Sequence, residues 1–113
     1  MHELSLVQSI VEACSARANG AWVRKVTLEV GALSCVMPEA LRFCFAAVSD
    51  GTALQGAELE ILVRPGRSRC RECGRELSLR SLLDNCSCGS GNLEPPSGGD
   101  QLRIQSMEIE EAV

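Results

Sequence analysis

Apolar residues recur every three or four positions between Glu3 and Asn19, at Leu4, Val7, Ile10, Val11, Cys14 and Ala18, which predicts an amphipathic helix stopped by Gly20. Ser5 and Gln8 have capping-box spacing, while Glu3 suits a positive helix N-terminus, so the first turn can start at either point. The period then falls to two. Val26, Leu28 and Val30 alternate with Lys25, Thr27 and Glu29, the mark of a strand with one face buried, and Gly31 closes it. Pro38 suits the first turn of a second helix, with Leu41, Cys44, Phe45 and Val48 as its inward stripe and Asp50-Gly51 as its end. A second strand follows, with Leu59, Ile61 and Val63 on one face and Glu58, Glu60 and Leu62 on the other, bounded by Pro65-Gly66. Near the end, Leu102 and Ile104 are out of phase with Met107 and Ile109, which predicts a bulge near Ser106 or two short strands.

This order predicts an α+β fold, a small three-stranded sheet with two helices. The last strand has no cysteines of its own and needs partners to pair with. The cysteine-bearing stretch before it is therefore read as an insertion, a zinc-ribbon-like module entered near Arg67 and left near Asp100. Residues 1–66 and 100–113 form one α/β domain, and residues 67–99 a zinc-binding module. Gly89-Ser90-Gly91 and Pro95-Pro96-Ser97-Gly98-Gly99 read as a turn-rich return path rather than an ordered element.

At 113 residues the chain has room for one compact domain and one small metal-held module, not for a large buried substrate cleft. The aromatics are only Trp22, Phe43 and Phe45, so the core falls to Val, Leu, Ile, Ala and Cys. A net charge of −4 argues against a general nucleic-acid or anionic-membrane coat. No apolar run approaches the roughly 18 residues of a membrane span, and the start lacks a basic region followed by an apolar one, so a cytoplasmic protein with reduced thiols is expected.

Those thiols number seven, and an odd count with four bunched between Cys70 and Cys88 fits metal ligation better than disulfides. Cys70-Arg71-Glu72-Cys73-Gly74 is a CxxC knuckle whose glycine permits a tight turn. Cys86-Ser87-Cys88-Gly89 is a second pair, one residue shorter. In extended backbone Cys86 and Cys88 would point apart, so sharing a metal requires a bend, placed here at Asn85 or Ser87. Four thiolates make a closed tetrahedral zinc site that holds structure and leaves no open position for an activated water. Cys14 and Cys44 lie in phase with helix stripes and read as small hydrophobes, while Cys35, in a loop, receives no role.

The one histidine is His2. At that position the α-amine of Met1, the amide nitrogen of His2 and its imidazole Nδ1 can close fused chelate rings around one ion. Three nitrogens in a plane favour square-planar Ni(II) or Cu(II) over Zn(II). A fourth donor would come from Glu3, by amide or carboxylate, from water, or from a partner. With no histidine beyond residue 2, a hydrolase-like acid/base reading has nothing to stand on, and no enzyme activity is expected.

Met1-His2-Glu3-Leu4-Ser5-Leu6, Val30-Gly31-Ala32-Leu33, Pro38-Glu39-Ala40-Leu41, Gly51-Thr52 and Gly56-Ala57-Glu58-Leu59-Glu60-Ile61, followed by a cysteine module, resemble the HypA/HybF family of hydrogenase maturation nickel metallochaperones. The resemblance implies a small protein that binds Ni(II) at Met1, His2 and Glu3 as exchangeable cargo. It also implies structural Zn(II) on Cys70, Cys73, Cys86 and Cys88. The implied partners are a GTPase accessory protein and the [NiFe]-hydrogenase large subunit, in some organisms urease, and a homodimer is compatible with it. The family's second cysteine pair is normally CxxC, and a histidine often sits near a zinc cysteine. This chain has CxC and no such histidine, so no pH-sensing role carries over.

The competing reading is a zinc-ribbon nucleic-acid binder or protein adaptor, motivated by Arg64, Arg67, Arg69, Arg71 and Arg75 at the module's entrance. Glu72 and Glu76 interleave with them, and no aromatic follows Arg64 to stack on a base, which favours the metallochaperone and predicts no nucleic-acid partner.

Overall fold

A computed structural model describes residues 2–110. Met1, residues 111–113 and the His2 side chain lie outside the described residues. In chain order the elements are α1 (His2–Ala18), β1 (Trp22–Gly31), α2 (Pro38–Ser49), β2 (Glu58–Arg64), β3 (Gly66–Arg69), β4 (Glu76–Leu79) and β5 (Leu102–Glu110). Helix α1 is already formed at His2, so Ser5 lies inside it and caps nothing, and Glu3 is the acid of the first turn. The chain leaves it through Asn19 and Gly20, both at positive φ.

The sheet has the order β2-β1-β5. Strands β1 and β2 are parallel, joined by α2 in a βαβ crossover, with Val26 opposite Leu59, Leu28 opposite Ile61 and Val30 opposite Val63. On the other side β5 runs antiparallel to β1 as a single strand, and its phase change is a bulge. Leu28 faces Ile104 and Thr27 faces Ser106, which leaves Gln105 without an opposite residue. A second irregularity, at Arg24 between the Val23–Ile109 and Lys25–Glu108 pairs, was not legible in the apolar pattern. Together the two bring Leu102, Ile104, Met107 and Ile109 opposite Val30, Leu28, Val26 and Val23.

One face of this sheet packs on both helices. Val7, Ile10, Val11 and Cys14 of α1 and Leu41 and Phe45 of α2 meet Val23, Val26, Leu28, Val30 and Leu59, with Leu54 from the connecting loop. Leu4, expected on the inward stripe, is exposed, as are Trp22 and Phe43, so Phe45 is the one aromatic of the core. Among the described residues the opposite face carries no helix, and it is largely polar. There Glu29, only 7% exposed, accepts hydrogen bonds from Arg64 Nε at 2.9 Å and Arg103 Nε at 2.8 Å, one on each carboxylate oxygen. Hydrogen bonds from Arg103 and Arg64 hold the Glu29 carboxyl below the ordinary carboxylate range.

Beyond β2 the chain folds into a second, two-stranded sheet. Strands β3 and β4 pair antiparallel, with Gly66 opposite Leu79 and Arg69 opposite Glu76. This hairpin was not expected. The return path, expected to be without order, is hydrogen-bonded along β3: Arg67 and Ser97 exchange both backbone bonds at 2.9 and 2.8 Å, and Glu94 N donates to Arg69 O at 2.9 Å. The radius of gyration, 17.6 Å against about 13 Å for a compact chain of this length, and a longest axis of 59 Å place this ribbon outside the helical core. At the junction, a Cβ on Gly31 would collide with the Gly99 carbonyl, while Leu33 N donates to Gly99 O at 2.6 Å and Gly31 N to Gln101 O at 2.6 Å. Only a residue without a side chain lets β1 end against the returning backbone.

Two measurements test this architecture. Leu28, 1% exposed on the central strand, is packed by both helices and both neighbouring strands, so Leu28→Ala should cost about 2–5 kcal/mol in urea denaturation. A loss well under 1 kcal/mol would mean that the sheet is not packed this way. The depressed Glu29 carboxyl contributes stability that is present above the ordinary value of 4.5 and lost as pH falls through the folded value. Glu29→Gln should therefore unfold at a lower temperature than wild type at pH 7, with the gap closing as pH drops below 4.5. A gap independent of pH would contradict the ion triad.

Candidate metal centre

Four cysteines converge at the far end of the ribbon. Cys70 follows β3, and Cys73 follows three residues on in a turn closed by the bond from Gly74 N to Cys70 O at 2.9 Å. Cys70 N in turn donates to Arg75 O at 2.9 Å, so the knuckle is tied at both ends. The second pair lies on the loop between β4 and the return path. Gly89 N donates to Cys86 O at 2.9 Å, a tight turn with Ser87 and Cys88 at its centre, and Cys86 N donates to Ser90 O at 2.9 Å. The bend that a CxC pair needs is thus supplied by this turn, and the positive φ falls on Gly89 rather than on Asn85 or Ser87.

All four sulfurs lie within 4.8 Å of one another. Cys70 Sγ is 3.7 Å from Cys88 Sγ, and Cys73 Sγ is 3.6 Å from Cys86 Sγ. A tetrahedral zinc with Zn–S bonds of about 2.3 Å has S–S edges of about 3.8 Å, so the donor set fits one such ion. Cys70 and Cys86 are buried and Cys73 and Cys88 exposed, which puts the site at the ribbon surface with one side open to water.

The electrostatics of the bare thiols also favour a cation. The Cys73 amide, helped by that of Glu72, stabilises the Cys70 thiolate and lowers its thiol to about 6, and the Cys88 amide lowers Cys86 in the same way. At Cys88 the Ser90 amide also pulls down, but the neighbouring Cys86 and Cys70 sulfurs outweigh it and push the thiol up to about 11. Four negative sulfurs at this spacing repel one another strongly unless an ion sits among them.

The other cysteines stand apart from this cluster. Cys14 is buried in the helical core, where burial pushes its thiol up, and Cys44 packs at the core's margin. Cys35 is exposed at φ +63 in the loop before α2. At the chain start Glu3 Oε2 accepts from Met37 N at 3.4 Å, which ties the first turn of α1 to that same loop. Met1 and the His2 side chain, the other two residues expected to hold nickel, fall outside the described residues.

The arginine cluster at the module's entrance is largely engaged internally. Arg64 is bonded to Glu29, Arg69 to Glu76 at 3.2 Å and Glu94 at 3.7 Å, and Arg75 Nη1 to Ser87 Oγ at 2.7 Å. The arginine spacing alone does not show these pairings, because the partners lie seven to 35 residues away along the chain. Arg75 and Ser87 in particular carried no signal beyond standing beside metal-type cysteines.

A family model for HypA, described as hydrogenase/urease nickel incorporation metallochaperone, matches residues 1–109. The hydrogenase maturation factor HypA of Trichormus variabilis is 48% identical over 111 residues, covering 98% of this chain and 97% of its own length. That of Geobacter metallireducens is 45% identical over 111 residues, covering 97% of this chain and 100% of its own. The solution structure of the Ni metallochaperone HypA from Helicobacter pylori shares the fold, with a TM-score of 0.62 at 21% identity over 95% of this chain and 96% of that one. A family model spanning nearly the whole chain, relatives close to half identical from end to end, and a two-helix sheet carrying a four-cysteine ribbon agree: the chain belongs to the HypA family of nickel-incorporation metallochaperones in hydrogenase and urease maturation.

Proposed function

We propose that this chain carries Ni(II) at Met1, His2 and Glu3 and hands it to a [NiFe]-hydrogenase large subunit together with a GTPase accessory protein in the cytosol. Zn(II) on Cys70, Cys73, Cys86 and Cys88 holds the ribbon in shape. The observation that carries this reading is the closure of the four sulfurs on one another, at edges of 3.6 and 3.7 Å. A tetrahedral thiolate set is saturated by one ion and releases it slowly, which suits scaffold and does not suit cargo. The nitrogen donors for a second, exchangeable ion are then the α-amine, the first amide and the single imidazole, all within the first two residues. Glu3, the third residue of this set, accepts from Met37 N at 3.4 Å through its Oε2.

On this reading the chain divides by task. Residues 1–66 and 100–113 form the nickel-binding domain, and residues 67–99 the zinc module. Gly31 and Gly99 lie in close backbone contact where the two join. Zinc supplies the folding energy of the ribbon, whose sheet buries few apolar side chains beyond Leu79.

Two measurements follow. Metal analysis of untagged protein after nickel addition and gel filtration should give one zinc and one exchangeable nickel. His2→Ala, or one residue added ahead of Met1, should abolish the nickel while leaving zinc and fold unchanged, and undiminished nickel in either variant would refute the N-terminal site. Zinc binding to metal-free protein should release protons, because Cys88, pushed up to about 11, holds one at pH 7 and must lose it to ligate. Affinity measured with a competing chelator should then rise about tenfold per pH unit for each proton released between pH 7 and 9. A flat profile would contradict a protonated Cys88 in the metal-free centre.

A further inference from the structure

The second knuckle is one residue shorter than the first, yet its two sulfurs reach the cluster as closely as the others. The Gly89 turn folds the short pair, and a side-chain bond from outside ties it to the first knuckle. Arg75 follows the first turn directly, and its backbone carbonyl accepts from Cys70 N at 2.9 Å, so its main chain is part of the first knuckle. Its guanidinium reaches across to Ser87 and donates from Nη1 to Oγ at 2.7 Å. Ser87 is the single residue between Cys86 and Cys88, so a hydrogen bond to it acts on the carriers of both sulfurs at once. Apart from the sulfurs themselves, no other side-chain hydrogen bond among the described residues links the two knuckles.

Charge points the same way. A dication among four thiolates leaves a net charge of −2 on the centre. The module's other nearby arginine with a fixed partner, Arg69, is already balanced by Glu76 and Glu94. Arg75 makes no salt bridge among the described residues, and its guanidinium lies against the turn that carries Cys86 and Cys88. We propose that Arg75 is a positioning residue for the metal centre: through Ser87 it clamps the short CxC turn against the CxxC knuckle, and its charge offsets the thiolates, so that metal is released slowly. Groups just outside the ligand set orient ligands and tune affinity in this way. This rests on the reading of the four cysteines as a zinc site.

The test is the rate at which the zinc-loaded full chain gives up metal to the chromophoric chelator 4-(2-pyridylazo)resorcinol. Arg75→Ala should accelerate release about tenfold. Ser87→Ala, a small change on an exposed turn, should accelerate it less, and adding it to Arg75→Ala should change nothing further, because both remove one hydrogen bond. Arg75→Lys keeps the charge without the planar fork and should fall between wild type and Arg75→Ala. Cobalt substitution gives a second readout: the thiolate charge-transfer band should move in Arg75→Ala. Wild-type rates in both single variants, or fully additive effects in the double variant, would overturn the clamp alone. A wild-type protein that retains no zinc would overturn the four-cysteine site and the clamp with it.

Discussion

Four sulfurs within 4.8 Å of one another are the constraint on which the rest of the molecule depends. Such a set cannot carry four charges without a cation, and the opposite shifts of the bare thiols, Cys70 down and Cys88 up, reflect that conflict. A single tetrahedral ion resolves it and at the same time fills its own coordination sphere. The consequence reaches the other end of the molecule. On the reading proposed above, nickel is held where ligands exchange, and the amino terminus with the one histidine is the donor set put forward for it.

The ribbon that carries the cluster has little else to hold it. Its sheet is two strands of four residues, and its third layer is a return path bound to β3 by backbone bonds, by Ser68 Oγ donating to Glu94 O at 2.7 Å and by the Arg69–Glu94 ion pair at 3.7 Å. Burial contributes little there, since Leu82 and Leu83 at the outer loop are exposed and the buried apolar side chains are Leu79 and two of the cysteines themselves. The helical domain is the opposite case. Its stability comes from an aliphatic core between two helices and the central strand, with a buried Glu29 held by arginines from both flanking strands. The two lobes meet where Gly31 passes against the Gly99 carbonyl, a contact that requires β5 to return before the sheet is complete.

How much of this was legible follows from what holds each part. The helices, β1, β2 and the bulge at Gln105 were written in the apolar period, because a buried face fixes the register of every residue on it. The insertion was legible because β5 has no partner near it in sequence. The hairpin β3–β4 was not, since its residues are set by backbone pairing and by metal ligation, neither of which needs an apolar pattern. Nor was the Arg24 irregularity, which lies where β1 runs out toward the exposed Trp22. Of the candidate site, the cysteines could be read from spacing, whereas the Gly89 turn that unites the short pair and the arginine bonded across it could not. Ion pairs such as Arg103 with Glu29, 74 residues apart, have no sequence signal at all.

The division of labour between the two metal environments is the central claim, and X-ray absorption at both metal edges on protein loaded with one zinc and one nickel examines it directly. Zinc should show four sulfur scatterers at about 2.3 Å, and nickel a shell of nitrogen and oxygen only, with the edge feature of planar geometry. Sulfur in the nickel shell, or a zinc shell short of four sulfurs, would contradict it.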